Sequence, residues 1–194
     1  MYAGHFDFSQ PLIHRVPALY DAAECLALLD RLRGVEWLAA TVNRASGREV
    51  DERLRNNGTA VLRDDGLADA LWARVRPSVP RTMFAEWDGG TRRAVHPVGL
   101  YLPLRVYRYE VGQQFGLHQD QSYAGPDGAR SLLTLLVYLD DQIEGGETEF
   151  PEQGITIQPR TGDGLWFQHM VLHAGKRVTA GVKHVLRTDV LYAP

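Results

Sequence analysis

Apolar residues change their spacing part-way along the chain. Between Asp21 and Gly34 they recur at helical intervals. Cys25, Leu28, Leu29 and Leu32 fall on one side, Asp21 and Glu24 have capping-box spacing, and Gly34 supplies a stop. The pattern predicts an amphipathic helix. Residues 37–42 read as a strand and 43–57 as a polar, mixed and partly irregular stretch. A second helix is expected from Gly66 or Leu67 to Arg76, with Asp64 or Asp65 accepting its first free amides and Pro77 ending it. From Gly99 onward the helical period gives way to short apolar runs punctuated by Gly, Pro and Asp. These predict strands at 104–109, 117–119, 132–139, 147–150, 155–157, 164–168, 171–174 and 185–192. Eight strands suggest two facing sheets, with the helices backing one of them.

Length and composition narrow the picture without changing it. A chain of 194 residues fits one domain and buries roughly 70% of its extended-chain surface, enough for a core without staples. Its single cysteine, Cys25, excludes an internal disulfide and belongs to the apolar face of the first helix. Neither a repeat, a low-complexity tract nor an interdomain linker interrupts the chain. Residues 1–194 are expected to form a single domain, with 1–98 as helical and strand support and 99–194 as the motif-bearing β core. Formal charge is −3, with basic and acidic residues interspersed, so no global footprint for nucleic acid is expected. Residues 1–7 lack a basic, then apolar leader, and no segment is long enough to cross a bilayer, which points to a reducing cytoplasmic setting away from the membrane.

The chemistry concentrates in His118-Gln119-Asp120. In an extended strand His118 and Asp120 project from one side while Gln119 turns away. A distant histidine would complete a set of two imidazoles and one carboxylate, leaving the other metal positions open as in non-heme Fe(II) oxygenases. His169 and His173 lie in one apolar segment, and counting histidines does not separate them. A bare His-x-Asp is common by chance, and Lys183 alone reads as a solvated residue at a strand start. The surrounding text carries the case further.

Four blocks stand in order: RVYRYEVGQQFGLHQD from Arg105 to Asp120; SLLTLLVYL from Ser131 followed by GGETEFP from Gly145; PRTGDGLWF from Pro159; and LHAG from Leu172 with Val178, Gly181 and Lys183. Together they resemble the prolyl 4-hydroxylase-like Fe(II)/2-oxoglutarate-dependent dioxygenases. The resemblance implies a mainly β fold with supporting α-helices around a double-stranded β-helix (jelly roll) core. It implies His118, Asp120 and His173 as metal ligands and catalytic centre, since the family's distal histidine precedes a small-Gly pair and stands ten positions before the lysine. Lys183 would then pair with the far carboxylate of 2-oxoglutarate, with Tyr109 and Thr148 beside that co-substrate. His5, His14, His96 and His184 lack such spacing and read as surface or structural residues.

The implied cofactors are Fe(II), 2-oxoglutarate and O2, with ascorbate as a stimulant. The implied reaction hydroxylates a C–H bond while 2-oxoglutarate is decarboxylated to succinate and CO2. A peptidyl proline or other protein residue is the most family-like substrate, and a free amino acid or small metabolite is the alternative. Nucleic-acid demethylation of the AlkB type usually brings arginine to the co-substrate where this chain has Lys183. A noncatalytic cupin-like metal-binding protein normally supplies His-x-His and a nearby glutamate, which His118-x-Asp120 fits poorly. The glycine-bearing segment 121–130 reads either as a cover over the primary-substrate site or as a surface connection, with Arg130 a possible substrate contact. Arg187 shares a strand face with Lys183 and either lines the pocket or makes an ion pair. Tyr138, Tyr107, Arg105 and Trp166 are pocket or core residues by the same reasoning.

Overall fold

The computed structural model describes residues 6–40, 42–44, 47–49, 54–87 and 90–194, with backbone alone at 42–44, 47–49 and 87. The reading of residues 1–5, including His5, lies outside the described residues, as does the middle of the mixed stretch at 45–46 and 50–53. In chain order, β1 (Ile13–Val16) precedes helix α1 (Ala22–Arg31), then come β2 (Leu38–Ala39), β3 (Val42–Arg44), β4 (Gly47–Glu49) and β5 (Gly58–Leu62). Helix α2 (Asp65–Val75) leads to β6 (Met83–Trp87) and β7 (Thr91–Leu100). The remaining strands are β8 (Leu104–Tyr109), β9 (Phe115–His118), β10 (Arg130–Tyr138), β11 (Glu144–Gly145), β12 (Thr148–Phe150) and β13 (Ile155–Ile157). They are followed by β14 (Gly164–Gln168), β15 (His173–Gly175), β16 (Val178–Ala180) and β17 (Lys183–Ala193).

Both helices start as their sequences dictate. The Asp21 carboxylate accepts from the Glu24 amide while the Glu24 side chain accepts from the Asp21 amide, a complete capping box. Asp64 caps α2 by accepting from the Leu67 amide. Their buried faces, Cys25 and Leu28 on one and Ala68, Leu71 and Val75 on the other, join Leu104, Val106, Leu133, Leu135, Val137, Leu186 and Val190 in the principal core. The helices therefore cover the outer face of the large sheet.

That sheet has nine strands, ordered β1-β14-β10-β17-β8-β5-β2, with the β6–β7 hairpin attached through β7 to the distal part of β17. A four-stranded sheet, β13-β12-β15-β9, faces it, and β11–β16 and β3–β4 form small pairs. The result is the mainly β jelly roll with supporting helices. Strands from both halves of the sequence share the large sheet, since β1, β5 and β7 begin before residue 99. Period-two alternation then decides which residues face the space between sheets. On β8, Leu104 and Val106 pack outward while Arg105, Tyr107 and Tyr109 face inward. On β17, Leu186 packs outward while Lys183, Val185 and Arg187 face inward.

The structure shifts several strand limits. The strand expected at 117–119 is Phe115–His118 and ends before Gln119, because the Asp120 amide donates to the His169 carbonyl and Gln119 Nε2 to the Met170 carbonyl. The strand expected at 171–174 is His173–Gly175, because the Val171 amide closes a turn onto the Gln168 carbonyl. Of the described residues in 37–42, Leu38–Ala39 form the short β2 and Val42 begins β3, with residue 41 outside the described residues.

Candidate metal centre

His118 ends β9 and His173 begins β15, where the two are directly paired across the small sheet. Their rings lie 4.1 Å apart. Asp120, two residues past the end of β9, reaches both. His118 Nε2 is 3.8 Å from one of its oxygens and His173 Nε2 is 3.8 Å from the other. The three donor atoms lie within 4.8 Å of one another. Strand alternation alone did not bring Asp120 there; its backbone bond to His169 did.

The protonation states suit metal binding. His118 Nδ1 lies 2.8 Å from the Gly116 carbonyl and His173 Nδ1 2.9 Å from the Val171 carbonyl. A carbonyl only accepts, so each Nδ1 carries the proton and each Nε2 presents a lone pair. Burial, reinforced by His173, pushes His118 down to about 3, and burial also lowers His173, so both are neutral at neutral pH. Burial opposes ionisation of Asp120, yet the Arg187 guanidinium and the nearby histidines hold its carboxyl well below the usual carboxylate range. Two neutral imidazoles and one carboxylate facing an open cavity fit a divalent first-row metal such as Fe(II).

Asp120 is anchored from behind by a directed chain of hydrogen bonds. Thr134 donates its hydroxyl proton to Asp120 Oδ2 at 2.5 Å and can accept from His169 Nδ1 at 2.9 Å. With Nδ1 protonated, His169 Nε2 accepts from Ser131 Oγ at 2.9 Å, and Ser131 Oγ accepts from the Tyr123 amide at 2.8 Å. Every donor in the chain has an acceptor. His169 thus has both ring nitrogens engaged behind the carboxylate, whereas His173 presents Nε2 to the cavity side. Arg187 adds a contact of 3.4 Å to Asp120 and one of 2.9 Å to Asp189, which burial pushes up to about 7.

The other end of the site lies on the large sheet. Lys183, the first residue of β17, is only 4% exposed, and its ammonium donates to the Gly146 carbonyl at 2.6 Å. Asp140 and Glu147 act on it only at a distance, and burial pushes it down to about 8. Gly146 has φ +71°, and a Cβ there would stand 3.2 Å from Lys183 Cδ, so a glycine both makes the turn and leaves room for the lysine. Tyr109 is the cross-strand partner of Lys183, whose Nζ lies 5.3 Å from the phenol ring centre. The Thr148 hydroxyl is 2.7 Å from the Tyr138 hydroxyl. A buried ammonium with a single acceptor among the described residues, a backbone carbonyl, fits an incoming carboxylate.

One cavity of about 410 Å³ is lined by all six residues singled out from the sequence: His118, Asp120, His173, Lys183, Tyr109 and Thr148. Arg187 and Thr134 line it too. Arg187 was foreshadowed by its even spacing from Lys183, and the signal for Thr134 was a hydroxyl inside the apolar run Ser131–Leu139. Arg55 was not anticipated. Its guanidinium lies over the rings of Tyr107 and Phe115, and Phe115 stacks on His118 with ring centres 3.4 Å apart. From segment 121–130 only Gln121 and Tyr123 line the cavity; Arg130 does not.

Comparison with known proteins agrees with this arrangement. Residues 104–188 match the family model of the 2OG-Fe(II) oxygenase superfamily. The chain is 33% identical over 198 residues to probable prolyl 4-hydroxylase 9 of Arabidopsis thaliana, an alignment covering 87% of this chain and 65% of that protein. A putative prolyl 4-hydroxylase of Acanthamoeba polyphaga mimivirus is 31% identical over 100 residues, or 42% of this chain and 41% of that one. The chain spans 62–65% of the length of the first plant relatives it matches. In fold it is similar to the viral collagen prolyl hydroxylase of Paramecium Bursaria Chlorella virus-1, solved as its 2OG complex, with TM-score 0.64, 19% identity and coverage of 94% and 97% of the two chains. It is also similar to the Trichoplax adhaerens prolyl hydroxylase solved with a hypoxia inducible factor peptide fragment, with TM-score 0.66, 16% identity and coverage of 96% and 86%. With the four motif blocks, the jelly roll and the clustered His, Asp and His in agreement, residues 104–188 carry the match to the 2OG-Fe(II) oxygenase superfamily and the chain is similar to prolyl 4-hydroxylases.

Proposed function

We propose that the protein is an Fe(II)- and 2-oxoglutarate-dependent hydroxylase acting as one domain, with His118, Asp120 and His173 holding the metal and Lys183, Tyr109 and Thr148 serving the co-substrate. The family implies Fe(II) and 2-oxoglutarate. When bound, they supply oxidation of a substrate C–H bond by O2 coupled to release of succinate and CO2, a reaction that ascorbate would stimulate. The chain's own residues do the rest. His118 and His173 keep Nε2 bare by donating Nδ1–H to carbonyls, Thr134 and Arg187 fix the orientation of Asp120, and Lys183 orients a diacid by its far carboxylate. The cavity walls limit water around the reacting groups.

The observation that carries this reading is the pairing of a buried ammonium, without a carboxylate partner among the described residues, with a two-imidazole, one-carboxylate donor set inside one cavity. A structural ion-pair cluster would have given Lys183 an acidic partner. The most family-like substrate is a peptidyl proline or other protein residue, in keeping with relatives named as prolyl hydroxylases, one of them solved with a peptide. No helix among the described residues is long and apolar enough to cross a membrane. To test the reading, protein loaded anaerobically with Fe(II) and 2-oxoglutarate is exposed to oxygen with a panel of prolyl peptides and amino acids, and succinate is measured. Succinate above the metal-free control is expected; its absence across the panel would overturn the assignment.

A further inference from the structure

Charge is distributed unevenly along the cavity. Its described lining contains four cationic side chains, Arg55, Arg105, Lys183 and Arg187, against a single carboxylate, that of Asp120. Three of the cations are already engaged, Arg55 by donating its Nε–H to Asn57 Oδ1. Arg187 contacts Asp120 and Asp189, and Lys183 is reserved for 2-oxoglutarate on the reading above. Arg105 acts on the buried Asp189 through space. Its Nη1 is buried without a hydrogen-bond partner among the described residues. An unsatisfied buried N–H of a charged group is costly, and a ligand that supplies the acceptor recovers that cost.

The sheet register locates this donor. Arg105 on β8 is the cross-strand neighbour of Arg187 on β17, and on its other side it pairs with Val61 of β5. Both guanidinium carbons lie 5.9 Å from the ring centre of Tyr123, the lining residue from the segment after Asp120. Arg187 lies four positions along β17 from Lys183, a distance of about 13 Å along a strand. The Arg105 row is thus a second cationic pole, out of reach of a small diacid held by Lys183, and it stands one strand away from the guanidinium that touches Asp120. Arg55, above Phe115 and its stacked partner His118, adds positive potential on the same open side.

We propose that Arg105 receives a carboxylate of the primary substrate, so that the enzyme selects a substrate bearing an anionic group near the carbon to be hydroxylated. The inference rests on the dioxygenase reading and deepens it. A planar monoanion suits the site. The guanidinium fork matches a carboxylate, whereas a doubly charged phosphate would be set against the nearby Asp120 and Asp189. The carboxylate belongs either to a free amino acid or to an acidic peptide side chain, and the two sources are separable by experiment.

The test uses the full chain with Fe(II) and 2-oxoglutarate bound anaerobically, and substrate pairs that differ only in charge. One pair is L-proline and L-prolinamide; the other is a proline peptide carrying glutamate and its glutamine counterpart. Equilibrium affinity is measured first, and succinate after oxygen is admitted. The charged member should bind at least about ten-fold more tightly. Arg105→Gln should erase that gap and Arg105→Lys should restore part of it. A gap confined to the first pair identifies a free amino acid, and one confined to the second an acidic peptide. Acetate serves as a minimal probe, and its saturable binding should shift the Arg105 guanidinium resonances. Equal affinity within both pairs, a gap that survives Arg105→Gln, or no saturable acetate shift would overturn the proposal. Failure of the parent to form succinate with any compound would instead count against the dioxygenase reading, which the acetate titration does not depend on.

Discussion

The two facing sheets contribute different halves of the site. The large sheet has long strands, nine residues in β10 and eleven in β17, and its inner face carries Lys183, Arg187, Arg105 and Thr134. The small sheet is assembled from strands of three or four residues and supplies both imidazoles. Continuous ladders backed by helices can hold charged side chains in a dry interior, because backbone pairing is complete and each charge needs only a side-chain or ligand partner. Short strands leave carbonyls near their ends, and both His118 and His173 use the carbonyl two residues upstream to fix their rings. Asp120 belongs to neither sheet; its amide bond to His169 just past β14 and its oxygens' contacts with Thr134 and Arg187 tie it to the large sheet, while His118 and His173 approach it from the small one.

The comparison can be broken most severely on the small sheet. His173→Ala should abolish turnover and weaken Fe(II) binding by more than the about 10- to 100-fold typical of losing a supporting partner, as read by metal titration. On the large sheet, Arg187→Gln removes the cation between two buried carboxylates. It should lower stability by about 3 kcal/mol in a denaturant titration, because Asp120 and Asp189 lose their compensating charge. Thr134→Val keeps shape but strands Asp120 Oδ2 and His169 Nδ1, and should cost about 1–3 kcal/mol in the same measurement.

A pH titration sharpens the contrast without mutation. The buried Lys183 ammonium is present below about pH 8 and is lost as pH rises through that value. Affinity for 2-oxoglutarate should therefore fall about ten-fold between pH 7 and 9. A flat profile would show that the far carboxylate does not rely on this cation. The smallest effect on the metal is expected for His169→Ala. Thr134 still donates to Asp120 in that variant, so Fe(II) affinity should change by about ten-fold or less. Loss of the metal in His169→Ala with retention in His173→Ala would reverse the assignment.

Legibility in the sequence followed the reach of the forces involved. Strands at 104–109, 155–157 and 164–168 coincide with their expected limits because apolar alternation between turn residues is a local signal. Both helix caps were readable for the same reason. β1 and the β6–β7 hairpin were not foreseen. Ile13–Val16 becomes a strand by pairing with β14, some 150 residues away, and Thr91–Leu100 carries polar residues and a proline that only the edge position on β17 tolerates. At the site, the motif blocks named six residues that line one cavity, but the supporting chain through Ser131, Thr134 and His169 was not legible. Its hydrogen bonds join β10 to the turn after β14 and depend on register rather than on spacing within one segment.

The central claim, that the small sheet holds metal while the large sheet holds the co-substrate's far carboxylate, is tested most directly by titrating Lys183→Ala under anaerobic conditions with Fe(II) and then with 2-oxoglutarate. The account predicts Fe(II) affinity close to that of the parent and 2-oxoglutarate affinity reduced by about ten-fold or more, as expected when a buried charge-assisted bond is removed. Unchanged 2-oxoglutarate affinity, or a loss of Fe(II) comparable to that in His173→Ala, would contradict it.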